Sequence, residues 1–287
     1  MREPNFFIVG QTKSGTTSLK HYLSQHPDIF LIHRGRGFFG YDPPEISESK
    51  YFSLYKDAKN EKMVGEKASD YLSAPNTASK LKKRFPDAKI IMNLRNPVDM
   101  MYALHSSQLF KETMENLEDF EEALKAEKLR KEENEKNPGK WHPHMFYSDI
   151  AKYTPQVKRY LDNFDKDKIK IVISDDLKKD TLKTYKEILG FLDVDESFIP
   201  DLKLYNTHRE YRSRTLQAAM KGNKLQLRSV LGKIPGASSA FRAVNQPQRV
   251  RKPMSQDLRK KLQIKLLPEV KELGELIGKD LTFWCKN

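Results

Sequence analysis

An apolar run, Phe6-Phe7-Ile8-Val9, leads directly into Gly10-Gln11-Thr12-Lys13-Ser14-Gly15-Thr16-Thr17-Ser18 and then into an amphipathic segment. Strand, glycine-bounded loop and helix N-terminus, in that order, make a geometry that holds phosphate. The glycines let the chain turn tightly and expose successive backbone N–H groups. Thr16, Thr17 and Ser18 add hydroxyl donors at the positive end of the helix dipole.

The spacing is similar to a Walker loop but departs from it at one position. The Walker pattern has a lysine directly after its second glycine. Here that position is Thr16, and the lysine lies inside the loop as Lys13. Magnesium in the Walker class is held partly by an acid at a neighbouring strand end. The candidate strand, Lys89-Ile90-Ile91-Met92-Asn93-Leu94, ends in Arg95 with no acid. The loop is therefore expected to hold an anionic nucleotide without a metal.

Arg95 opens a second motif, Leu94-Arg95-Asn96-Pro97-Val98-Asp99. Asn96 suits an N-cap, Pro97 the first helical position, and Asp99 the first turn. Arg95 then stands at the carboxyl end of a parallel strand, where α/β proteins bind ligands. Its fixed fork of donors suits phosphate. Taken alone, the motif is equally compatible with an Arg paired to a nearby acid at a helix start.

The loop and the Arg95 motif together resemble the PAPS-dependent sulfotransferases, in the branch that joins bacterial and archaeal enzymes to the heparan-type sulfotransferase domains. Thr12 to Leu19 resembles the loop that grips the 5′-phosphosulfate end of the donor, and Leu94 to Asp99 the 3′-phosphate motif. Gly65-Glu66-Lys67-Ala68-Ser69-Asp70-Tyr71-Leu72, Ser174-Asp175-Asp176-Leu177, Asn206 to Gln217 with Arg212-Ser213-Arg214, and Leu273 to Leu281 with Trp284 resemble further segments. The resemblance implies a P-loop-NTPase-like α/β fold, PAPS as donor and PAP as product. It places Lys13 against the bridging oxygen and the backbone from Ser14 to Ser18 on the 5′-phosphate. Arg95 falls on the 3′-phosphate, and Arg249, Arg251 and Lys252 are expected to close over it. A solvated loop is the competing reading of that basic trio.

Two positions depart from the family pattern. The serine eight residues after the 3′-phosphate arginine is replaced by Ala103, with Ser106 and Ser107 about a turn further on. The segment His33-Arg34-Gly35-Arg36-Gly37-Phe38-Phe39 lacks the carboxylate that often precedes its aromatic pair. The base is left open among His33, Glu66 and His105, with Lys67 resembling an active-site lysine of the family. Arg34 and Arg36 point to an acidic acceptor or to a changed acceptor subsite.

The 287 residues suffice for one large α/β domain, 1–287. A formal charge of +13 and a pI of about 9.5 imply affinity for anions. Cys285 is the one cysteine, so a disulfide framework is excluded. No signal peptide is read ahead of the first strand, and no apolar run approaches the ~18 residues of a membrane span. A cytoplasmic setting, a small-molecule or glycan acceptor and no nucleic-acid partner are expected.

Strands are read at Met63–Lys67, Lys89–Leu94 and Ile169–Ser174. Helices are read at about 16–25, 76–85, 97–110, 150–163 and 180–192. This alternation argues for a central parallel sheet flanked by helices on both faces. Residues 114–140 are expected to form a solvated helix and then a loop at Asn137-Pro138-Gly139. A basic segment broken by Gly, Pro and Ser, about 221–252, is expected to act as a lid. Two other functions stay open: a non-catalytic PAP-binding protein, and an ATP-dependent kinase, which Thr16 and the missing acid disfavour.

Overall fold

The computed structural model describes residues 2–32, 37–41, 44, 46–111, 115–203 and 252–286. The first half contains β1 (Phe6–Gly10), α1 (Thr16–Leu23), β2 (Ile29–Leu31), α2 (Glu48–Ser53), β3 (Met63–Lys67), α3 (Thr77–Arg84), β4 (Lys89–Leu94) and α4 (Pro97–Lys111). The second contains α5 (Phe120–Lys125), α6 (Glu127–Lys136), α7 (Tyr147–Ile150), α8 (Tyr153–Leu161), β5 (Ile169–Ile173), α9 (Ser174–Lys179), α10 (Thr181–Leu192) and α11 (Gln256–Ile277).

The five strands are parallel and ordered β2-β3-β1-β4-β5. β1 is central because every one of its residues is buried and both its edges are paired. Side chains alternate across a strand, so its apolar run feeds two cores. Phe7 and Val9 pack with Val64, Ile90 and Met92 beneath α3, α4, α8 and α11. Phe6 and Ile8 pack with Ile91 against Leu19 and Leu23 of α1 and Ile188, Leu189 and Leu192 of α10. Strand order reverses about β1: the chain leaves it toward β2 on one side and later crosses to β4 on the other. The ends of β1, β3 and β4 therefore converge at the switch point where doubly wound sheets take ligands.

Three expectations are corrected. β2 was not foreseen; its three residues are too short to show a period. The helix expected over 150–163 is two helices, α7 and α8, with Pro155 in the first turn of α8, where a missing N–H is tolerated. The expected solvated helix is two helices whose inner face is buried. Arg130 is 3% exposed and donates to both carboxylate oxygens of Glu115 at 3.0 and 2.9 Å. Tyr147 donates to the same carboxylate at 2.6 Å, and Trp141 lies over the guanidinium. Burial alone would raise the Glu115 carboxyl, but its bonds to Arg130 and Tyr147 hold it below its ordinary value. The loop at Asn137–Gly139 does follow, with Asn137 as C-cap and Gly139 at φ 85°.

Candidate functional site

The loop after β1 is shaped by contacts at nearly every residue. Gly10 is needed as glycine: a Cβ there would lie 2.7 Å from the Ser69 carbonyl oxygen. The Gln11 backbone N–H donates to the Asn93 carbonyl at 2.7 Å, tying the loop to the end of β4. The fully buried Gln11 side chain accepts from the Thr12 N–H at 2.7 Å and donates to Gln156 Oε1 at 2.8 Å. Ser14 N–H turns back to the Gln11 carbonyl at 3.3 Å.

The next residues turn the chain into α1. Lys13 stands in the left-handed region at φ 61°, and Gly15, the N-cap of α1, at φ 87° with no side-chain cap. The first-turn N–H groups of α1 are thus without the usual side-chain acceptor, at the positive end of its dipole. Thr16 Oγ1 sits 3.3 Å from Ser69 Oγ, linking this turn to the chain after β3.

Two carbonyls of the loop are gripped from neighbouring strands. Arg95 Nη1 donates to the Lys13 carbonyl at 3.0 Å. Asn93 Nδ2 and Ser174 Oγ both donate to the Ser14 carbonyl, the latter at 2.8 Å. Asn93 occupies the strand end where a magnesium-binding protein would carry its acid. Its neutral amide braces the loop instead. Among the described residues no group of three or more metal-ligating side chains occurs.

Arg95 is positioned from both sides. Asn96 Oδ1 accepts from Val98 N–H at 3.0 Å, so α4 starts as its sequence predicts. Arg95 Nη2 is only 4.0 Å from Asp99 Oδ2, while the other oxygen of Asp99 binds Arg259 at 2.7 Å. Three buried polar atoms of this corner lack a partner among the described residues: Arg95 Nε, Ser14 Oγ and the hydroxyl of Tyr153, which feels the Arg95 charge. An orphaned donor of this kind costs about 1–3 kcal/mol unless something fills the space beside it.

At the end of β3 the residues expected to be catalytic diverge. Glu66 pairs with Phe7 in the parallel register, and Lys67 with Ile8. Glu66 is completely buried and accepts from Tyr55 at 3.2 Å, while Tyr55 and Tyr51 share a further bond at 2.9 Å. Burial pushes its carboxyl up to about 7, opposed by the hydroxyls of Tyr71, Tyr51 and Tyr55. Lys67, on the opposite face, is partly exposed at the strand end. His105 is 1% exposed, its Nε2 2.8 Å from the Leu117 carbonyl and its ring against Phe120 and Tyr147. That packing, ten residues past Arg95 along α4, takes it away from the loop. Burial also lowers its imidazole.

Ala103 is buried on α4. Ser106 donates to the Tyr102 carbonyl at 2.9 Å. Lys252 lies beside this helix: its carbonyl accepts from Tyr102 OH at 2.9 Å. His33, Arg34, Gly35, Arg36, Arg249, Arg251, and the Arg-rich segment at 206–217, lie outside the described residues. The residues missed by sequence are Gln11, Asn93, Ser174 and Ser69. Asn93 carried a local signal, as the amide where an acid was sought, and Ser69 and Ser174 lay in segments that resemble the family.

A family model described as a sulfotransferase domain matches residues 3–273. A solved sulfotransferase from Alicyclobacillus acidocaldarius is 29% identical, with a TM-score of 0.75 and 99% of each chain covered. The membrane-associated sulfotransferase kil1 of Dictyostelium discoideum is 37% identical over 101 residues, which is 33% of this chain and 21% of that protein. The bifunctional heparan sulfate N-deacetylase/N-sulfotransferase 1 of Caenorhabditis briggsae is 22% identical over 204 residues, 67% of this chain and 23% of that protein. The chain thus spans less than a quarter of the length of these two curated relatives. No helix among the described residues is long and apolar enough to cross a membrane. With the match running over nearly its whole length, the chain belongs to the sulfotransferase domain family.

Proposed function

We propose that this chain transfers a sulfuryl group from PAPS to a hydroxyl or amine of a small-molecule or glycan acceptor. The observation that carries the donor assignment is the pair of orphaned buried atoms, Arg95 Nε and Ser14 Oγ, beside an uncapped helix N-terminus. That donor set fits a phosphorylated anion. PAPS, when bound, supplies the sulfuryl group and leaves as PAP.

The residues have distinct tasks. The N–H groups that open α1, with Thr16, Thr17 and Ser18, orient the 5′-phosphate; Thr12 fixes the entry to the loop, and Gly15 lets the chain turn into the helix. Arg95 holds the 3′-phosphate, joined by Lys252 and by Arg249 and Arg251. Lys13 meets negative charge as it develops on the leaving oxygen, so its contribution falls on the rate. Lys67 stands at the strand end beside the loop and is assigned to the reacting group. Glu66, enclosed by tyrosines, is assigned to holding β3 in register beneath Lys67. His33 remains the candidate base. The chain acts as one domain, 1–287, with about 221–252 as its lid, and its single cysteine suits a reducing cytoplasm.

Thermal unfolding with PAP and with ATP–magnesium tests the reading. Saturating PAP should stabilise by about 3–4 kcal/mol at 100–1,000 times its dissociation constant. Greater stabilisation by ATP–magnesium would transfer the chain to the kinases.

A further inference from the structure

Resting on the donor reading above, we propose that Arg159 is the anion-holding residue of the acceptor subsite. Tyr41, His142 and His144 form the wall beside it, so the acceptor is a ring-bearing hydroxy compound with a carboxylate or sulfate. Arg159 lies near the end of α8 and donates through Nη2 to the carbonyls of Leu72 and Ser73, at 3.1 and 3.3 Å. Those bonds fix its position relative to the donor loop. The Leu72 N–H donates to the Val9 carbonyl at 2.7 Å, one residue before Gly10. In the same turn Ser69 reaches Thr16 of the loop.

The guanidinium has capacity left over. Its Nε is buried without a partner among the described residues, and it makes no ion pair with any carboxylate there. A half-buried arginine held by two carbonyls, with Asp70 near its neighbouring tyrosines but not paired to it, keeps its fork pre-oriented, an arrangement suited to an oxyanion. The carbonyl contacts alone would not call for a cation, since any N–H donor could make them.

The wall supplies the second half of the subsite. Tyr41 OH donates to Ser73 Oγ at 2.9 Å, which sets its ring beside the Arg159 turn. The rings of His142 and His144 stand 5.7 and 6.3 Å from that of Tyr41, and 4.7 Å from each other. Three rings from two chain segments thus gather about Tyr41, which shares Ser73 with Arg159 and feels its charge. Such a wall takes the flat face of a ring, while the arginine fixes which end of it carries the charge.

A matched pair of probes tests this on the full chain. 4-Nitrophenyl β-D-glucuronide and 4-nitrophenyl β-D-glucoside differ at one carboxylate and are titrated calorimetrically with and without saturating PAP. The glucuronide should bind about tenfold or more tightly, the size of one charged hydrogen bond. Arg159→Gln keeps N–H donors for the two carbonyls and removes the charge. It should abolish the preference and leave PAP affinity unchanged. Equal binding of the probes by the wild type, binding of neither, or a preference that survives in Arg159→Gln would overturn the proposal. If that variant does not fold, the wild-type preference must still shrink as salt rises, and a salt-independent preference refutes it. Failure of PAP to bind is a separate outcome that strikes the donor reading.

Discussion

Glu66→Gln should reverse part of the pH dependence of stability. The Glu66 carboxyl is fully buried and raised from 4.5 to about 7, chiefly by burial. Between those values the folded protein keeps a proton that the unfolded chain has released. Stability therefore falls as pH rises through this window, and the loss is complete above about 7. At about 1.4 kcal/mol per pH unit, that shift corresponds to about 3 kcal/mol. The glutamine is neutral throughout and can still accept from Tyr55, but its amide brings donors where Glu66 Oε1 has no partner among the described residues. That fixed penalty, about 1–3 kcal/mol, is the same at every pH. The difference in unfolding free energy between variant and wild type should thus move by about 3 kcal/mol in favour of glutamine between pH 4.5 and 8. Urea unfolding of both proteins across that range measures it, with other titrations cancelling in the difference. Parallel curves would mean that the carboxyl titrates normally and that the tyrosine enclosure is not as dry as described.

Lys13→Ala should lower turnover far more than PAP affinity, whereas Arg95→Ala should weaken PAP by about 1.5–3 kcal/mol, as read by titration beside steady-state kinetics. Equal losses of affinity would remove the distinction between the two residues. Asn93→Asp should weaken PAP, because a carboxylate would face the Ser14 carbonyl that the amide now holds; recovery on adding magnesium would contradict a bracing role. Arg130→Ala should cost about 3–5 kcal/mol in chemical unfolding, since it leaves the Glu115 carboxylate buried without its partner.

What the sequence disclosed follows the range of the interactions. β3 and β4 occupy the spans read for them, β4 because an apolar stretch bounded by polar turns needs no distant information. The loop after β1 is equally local: strand, glycines and helix start lie within thirteen residues, 6–18. The buried face of α6 was hidden because Arg130 looks like any solvated basic residue until Glu115, Trp141 and Tyr147 come round it. Gln11 was unremarkable in the loop, and its partner Gln156 lies 145 residues away. The proposed acceptor side is assembled from Tyr41, the turn at 69–73, His142, His144 and Arg159. No single window contains more than a fragment of it.

The central place of β1 also bears on how the protein is made. β1 precedes both of its partners in the chain, and β2, the next strand synthesised, pairs with β3 rather than with it. Phe6 to Val9 therefore has one edge bare until residues 63–67 have been translated and the other until residues 89–94. During that interval an uncharged apolar segment is open to pairing with another nascent chain. The loop that hangs from β1 is shaped later still, since Ser174 must arrive before the Ser14 carbonyl has both its donors. The donor loop is thus among the first parts of this sequence to leave the ribosome and among the last to reach its final form.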